Sequence, residues 1–269
     1  MLFSFNNFFS AFYKFLVTVY MYYIVYDLEF NQKDKNNHYD STSVVSLPFE
    51  IIQIGAIKLN ENFEIIDKFN TLVKPTLYTS IHPYIEELTK ISNSDIDSAP
   101  NFLNVFENFK KFIGDDTSVL CVWGQADIKI LRQNMDFHNI PLYFLPQKYI
   151  DIQLHASKYF KTPSGSRIGL RNAIELLNIP INNNFHNAFN DAIYTTEVFK
   201  QVYNSNFVIQ EYNSTQTKKR PNKSKETIDF VGLIKQIEKM YGRAMTDEEK
   251  EIIKLSYFMG KTEQYKIKN

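Results

Sequence analysis

The chain has 269 residues, 44% of them hydrophobic and 22% charged, with 30 Lys and Arg balancing 30 Asp and Glu. This suits one sizeable globular domain with an appendage and excludes a disordered chain. The neutral total speaks against a strongly basic coat for duplex nucleic acid. The single Cys121 excludes an intramolecular disulfide and a cysteine-built zinc site, so a reducing, cytoplasmic setting is expected.

Phe8 to Tyr26 is almost wholly apolar, broken by Ser10, Lys14 and Thr18. Its length alone would serve a membrane span or a signal core. Against that, no Lys or Arg precedes it, no small-residue cleavage site follows it, and it runs straight into a strand pattern. Residues 1–20 are therefore read as an N-terminal extension, either lying upstream of a true start at Met21 or forming an arm. No stable membrane partner is expected. The strand pattern is Tyr22-Tyr23-Ile24-Val25-Tyr26-Asp27-Leu28-Glu29-Phe30. Residues i and i+2 of a strand share a face, so Asp27 and Glu29 project together. With no Lys or Arg between Phe15 and Gln32, a divalent cation is the natural partner for the pair. Asp-x-Glu is common, and alone it reads as a strand end whose acids face water.

A polar loop follows to Leu47. Phe49 to Leu59 reads as a second strand with Ile52, Ile54 and Ala56 on one face, and Phe63 to Val73 as a third, joined by Asn60-Glu61-Asn62 into a hairpin. His82-Pro83 opens a short helix, and Ser94 to Pro100 reads as loop. From Asn101, the residues Phe102, Val105, Phe106, Phe109, Phe112 and Ile113 recur at helical spacing until Gly114. Val119 to Trp123 is a short buried strand, Gly124 a turn, Ile128 to Met135 a helix, and Tyr149 to Ile152 a further strand. Gly169 to Leu177 is helical. Ala192, Thr195, Phe199 and Val202 mark the last helix of this region. Three antiparallel strands followed by alternating helices and short strands predict an RNase H-like α/β fold, with a mixed five-stranded sheet and helices on both faces.

That domain is expected over 21–205. Residues 206–226 read as a polar linker carrying Lys218, Lys219, Arg220, Lys223 and Lys225. Residues 227–269 read as a small helical appendage. Phe230, Leu233, Ile234 and Ile237 line one face, and Thr246-x-x-Glu249 forms a capping box. The appendage would dock on the chain itself or bind a protein partner.

Two more acids stand at element ends. Asp127 follows the strand ending at Trp123, and Asp191 opens the last helix. His186 precedes Asp191 by five residues, across a loop begun by Asn182-Asn183-Asn184. On one continuous helix that separation would turn the two apart; with His186 at the helix entrance both reach one crevice. Singly, Asp127 reads as a helix N-terminal acid and His186 as a loop histidine. Together and in this order they resemble the DnaQ-like 3′–5′ exonucleases of the DEDDh group, which carry Asp-x-Glu, a middle Asp, then His-x-x-x-x-Asp. Pro48 to Ala56, Trp123-Gly124-x-x-Asp127 and Gly169-Leu170-Arg171-Asn172-Ala173 resemble the KapD type and the exonucleases that trim histone messenger RNA and small RNAs. Asn187 stands where the Tyr branch of the family would have its Tyr. Asn187 and Asn190 also make the loop less charged than in many relatives.

The resemblance implies a phosphodiester hydrolase that uses two divalent ions, Mg²⁺ or Mn²⁺, to trim the 3′ end of single-stranded RNA or DNA to nucleoside 5′-monophosphates. RNA is favoured by the Trp-Gly-x-x-Asp form. Asp27 would bridge the two ions, Glu29 and Asp191 would hold the first, and Asp127 would complete the cage. His186 would be the general base. Leu28 and Phe30, flanking Glu29, would bound the terminal nucleotide unless they belong to the core.

Overall fold

The computed structural model describes residues 21–32, 47–114, 117–163, 165–204, 206–212 and 229–261, so the expected extension 1–20 and residues 213–226 of the expected linker lie outside the described residues. Contacts divide the chain into two units, Met1–Asn213 and Ser214–Asn269.

In the first unit, β1 (Tyr22–Gln32), β2 (Phe49–Leu59) and β3 (Ile65–Leu72) are followed by three helices: α1 (Pro83–Thr89), α2 (Asn93–Asp97) and α3 (Phe102–Ile113). Then come β4 (Ser118–Val122), α4 (Ala126–Phe137), β5 (Lys148–Asp151), α5 (Ile152–Tyr159), α6 (Leu170–Leu176), α7 (Ala188–Val202) and β6 (Gln210–Glu211). The sheet order is β3-β2-β1-β4-β5-β6. β1 pairs antiparallel with β2 and parallel with β4, β5 continues the parallel half, and β6 closes the edge antiparallel to β5.

The central strands are apolar on both sides because helices cover both faces. On one face, Ile24, Tyr26, Leu28, Ile54 and Ala56 pack with the Phe-rich side of α3 and with Ile128, Leu131 and Met135 of α4. On the other, Tyr23, Val25, Ile57, Leu59, Val119 and Cys121 pack with Ala192 and Phe199 of α7. Asp27 and Glu29 continue the second of these rows along β1.

Four details differ from the sequence reading. The sheet has six strands rather than five: Gln210 and Glu211 pair with Tyr149 and Lys148, so residues 206–212 belong to this unit rather than to a linker. A two-residue polar strand has no periodicity to detect. The expected loop 94–100 overlaps the single turn of α2, formed because Ser92 and Asp95 make a capping box. α5 follows β5 directly, capped by the Asp151 side chain. The β1–β2 register also slips: Glu29 faces Gln53 but Phe30 faces Ile51, leaving Ile52 as a bulge residue. Ile52 therefore leaves the face of Ile54 and Ala56 and packs instead with Ile81, Ile85, Ile91 and Ile96.

The second unit contains α8 (Phe230–Tyr241) and α9 (Asp247–Lys261). The Thr246 and Glu249 capping box forms, Arg243 clasps the Glu249 carboxylate at 2.6 Å, and the Phe230 and Tyr257 rings meet edge to face. Among the described residues, no helix is long and apolar enough to cross a membrane.

Candidate active site

The acids meet where α7 crosses the sheet. Asp27 and Glu29 stand on β1 opposite Gly55 and Gln53 of β2. Gly55 permits the crossing: a Cβ at this position would overlap the Ala188–Phe189 peptide, so only glycine lets the first turn of α7 lie on the strand. Asn187 caps that helix by accepting the Asn190 N–H, and Asp191 falls in the first turn. One carboxylate oxygen of each of Asp27, Glu29 and Asp191 lies within 4.8 Å of the others.

His186 holds a left-handed backbone conformation, φ 62°, immediately before the cap. That conformation is uncommon outside glycine. Here it turns the His186 N–H onto Asp191 Oδ2 at 3.0 Å. The Asn190 side chain donates to the Asn184 carbonyl, and Asn183 and the Tyr194 hydroxyl exchange two bonds of 2.8 Å, stitching the loop to α7. The two asparagines noted in the sequence thus brace the His186 loop. The His186 side chain is exposed and makes no hydrogen bond among the described residues.

Asp127 sits in the first turn of α4, after the Trp123-Gly124-Gln125 turn, and is buried. It is not one of the three acids whose oxygens converge, yet its charge is the largest of those raising Asp27. Leu28 and Phe30 alternate to the opposite face of β1. Leu28 is 3% exposed inside the core beneath α3 and α4, which fits the core role the sequence left open for it. Phe30 is half-buried, 5.0 Å from the Phe49 ring.

The electrostatics are unfavourable for the chain alone. Burial, then the charges of Asp127, Asp191 and Glu29, push the Asp27 carboxyl well above the usual range. Burial and the charges of Asp191 and Asp127 raise Glu29 to about 8. Asp127 rises to about 7 through burial and the Asp191 charge. Asp191 rises to about 6 through burial, against the His186 N–H and the Arg171 charge. Arg171 lies 4.4 Å over the Phe185 ring beside this loop; the sequence showed it within a motif but not as a neighbour of Asp191. No Lys or Arg forms an ion pair with any of the four acids among the described residues. Asp191 Oδ1 is buried without a hydrogen-bond partner. Converging hard oxygens, mutual repulsion and one orphaned lone pair fit a divalent cation.

The exonuclease family model (RNase T) matches residues 24–199. The probable 3′-5′ exonuclease KapD of Bacillus subtilis (strain 168) is 26% identical over 188 residues, covering 69% of this chain and 85% of KapD. A DNA polymerase III of PolC type from Clostridium perfringens (strain 13 / Type A) is 30% identical over 181 residues, covering 66% of this chain but 11% of that polymerase. Among solved structures, the nuclease domain of 3′hExo, a DEDDh family member bound to rAMP, superposes with a TM-score of 0.60 at 22% identity, covering 73% of this chain and 99% of that domain. The chain belongs to the exonuclease (RNase T) family.

Proposed function

We propose that the protein is a 3′–5′ exonuclease that trims single-stranded nucleic acid, RNA in preference to DNA, to nucleoside 5′-monophosphates. The observation that carries the reading is the meeting of Asp27, Glu29 and Asp191 beside the loop of His186, which bonds Asp191 through its own N–H. The 3′–5′ direction is supported by the likeness to KapD. The choice of RNA is supported by the Trp123-Gly124-x-x-Asp127 form and by the rAMP held by 3′hExo.

Two divalent cations, Mg²⁺ or Mn²⁺, held by Asp27, Glu29 and Asp191 with Asp127, would supply the activation of water and the neutralisation of charge that phosphodiester cleavage requires. His186 is the general base: its exposed imidazole takes a proton from the attacking water. The water oxygen bonds to phosphorus as the bond to the 3′ oxygen breaks; that oxygen takes a proton from solvent and leaves as the 3′ hydroxyl, while His186 returns its proton to solvent. The His186 N–H fixes Asp191 Oδ2 and leaves Oδ1 open. Residues 227–269 are proposed as a docking element, for a protein partner or for the chain itself.

The likeness to the PolC-type polymerase favours DNA as the alternative polymer. The test uses RNA and DNA of one sequence, each labelled at the 5′ end, incubated with Mg²⁺, Mn²⁺ or EDTA. A metal-dependent ladder that shortens from the 3′ end, faster on RNA, is expected. Faster DNA shortening overturns the choice of polymer, and no shortening of either overturns the activity.

A further inference from the structure

We propose that Gln53 is a positioning residue for hydrolysis, setting where Asp191 and His186 stand relative to Glu29; this rests on the exonuclease reading above. Gln53 faces Glu29 directly across the β1–β2 pair and is 3% exposed. A carboxamide buried between Ile52 and Ile54 is costly unless both of its ends are bonded. Both are. Its Oε1 accepts the Ala188 N–H at 3.1 Å, and its Nε2 donates to Asn70 Oδ1 at 2.9 Å.

Ala188 is the first residue of α7, and its N–H is one of the donors that a helix start leaves without an internal partner. Asn187 satisfies another of these donors from within the helix. Gln53 satisfies this one from the sheet, across 135 residues of sequence. Two residues along the same strand, Gly55 lets the Ala188–Phe189 peptide lie against β2. The two contacts have different content. Gly55 sets how close the helix comes, but a bare backbone surface does not fix slide or rotation. The directional bond from Gln53 does. Asn70 fixes which end of the amide faces the helix, because an Nε2 already engaged on Asn70 leaves Oε1 for Ala188. Asp191 lies three residues beyond Ala188 and His186 two before it, so a shift of Ala188 moves both against the acids of β1.

A residue that merely filled its site would affect stability without affecting chemistry. The test therefore compares Gln53→Leu, Gln53→Glu and Asn70→Ala in the full chain. In Gln53→Leu, kcat on the 5′-labelled oligonucleotide should fall about 10- to 100-fold with KM nearly unchanged. The affinity for Mg²⁺, measured by calorimetry without oligonucleotide, should weaken by about tenfold. Gln53→Glu keeps an acceptor for the Ala188 N–H and should recover most of the lost kcat. Asn70→Ala frees the amide to turn and should show a smaller loss in the same direction; it decides the matter if Gln53→Leu does not fold. Unchanged kcat and Mg²⁺ affinity with only a lower melting temperature, in both Gln53→Leu and Asn70→Ala, would overturn the proposal. A wild-type protein that cuts neither polymer would count instead against the exonuclease reading, and the Mg²⁺ affinities of the variants would still decide the positioning.

Discussion

Glu29 and Glu50 are both buried glutamates at one end of the β1–β2 pair, 9% and 3% exposed. Their surroundings are opposite. The Glu50 carboxylate accepts the backbone N–H groups of Thr76, Leu77 and Tyr78, with bonds of 2.8 to 3.1 Å to the latter two. Its cross-strand partner Asn31 pins the same loop, donating to the carbonyls of Tyr78 and Ser80 and accepting the His82 N–H. Glu29 has no donor among the described residues; it has Asp27 and Asp191 instead. A buried carboxylate wrapped in N–H groups holds a loop in place. Buried carboxylates left to face one another are in want of a cation, and that difference separates a structural acid from a candidate catalytic one.

The contrast can be broken at either end. The largest effect is expected from Asp27→Ala, Glu29→Ala or Asp191→Ala. Each should abolish cleavage of the labelled strand, because each removes charge that the cations need. Circular dichroism should show the fold intact, with a melting temperature in EDTA at or above that of the parent, since repulsion has been relieved. A variant that keeps most of its activity removes that residue from the set. Next, His186→Ala should lower kcat by about 10²- to 10⁴-fold, with the Mg²⁺ affinity kept. A variant that keeps the parent kcat would give the base to another group.

Glu50→Ala should do the reverse of the catalytic variants. It strips three N–H groups of the 76–78 loop of their shared buried acceptor and should cost about 3 kcal/mol of stability, read by denaturant unfolding. The rate per folded molecule should hold. A Glu50 variant of full stability would remove the contrast between the two glutamates.

The last effect is in the pH dependence of the metal-free protein. Unfolded carboxylates titrate near pH 4, whereas Glu29, Asp127 and Asp191 are raised to about 8, 7 and 6 in the fold. The folded state thus keeps protons that the unfolded state gives up. Their contribution is full below about pH 4 and is lost as pH rises towards about 8. Thermal melts in EDTA should fall across this window. Mg²⁺ at a hundredfold excess over its dissociation constant should return about 2.7 kcal/mol near pH 8. Melts that coincide with and without Mg²⁺ would argue against a cation at the acids.

The strands and the main helices follow from local pattern. β2 begins and ends at the residues its apolar run suggested, and the phenylalanines of α3 mark its buried face. The candidate acids could be picked out because strand alternation puts Asp27 and Glu29 on one side, and because the loop at 182–184 places His186 before the helix that carries Asp191. Both are relations between neighbours in the chain, which periodicities of 2 and 3.6 capture. Other features depend on partners far away in sequence. The bulge at Ile52 comes from the register between two strands. Leu28 lies in the core because of what covers β1, β6 exists only against β5, and α7 reaches the acids only because Gly55 and Gln53 receive Ala188. The sequence by itself determined which residues could do the chemistry and which elements carry them. The tertiary structure decided how closely the acids meet, which buried glutamate is bonded and which is not, and what holds Asp191 in place, because distance and desolvation are set by contacts that no local pattern encodes.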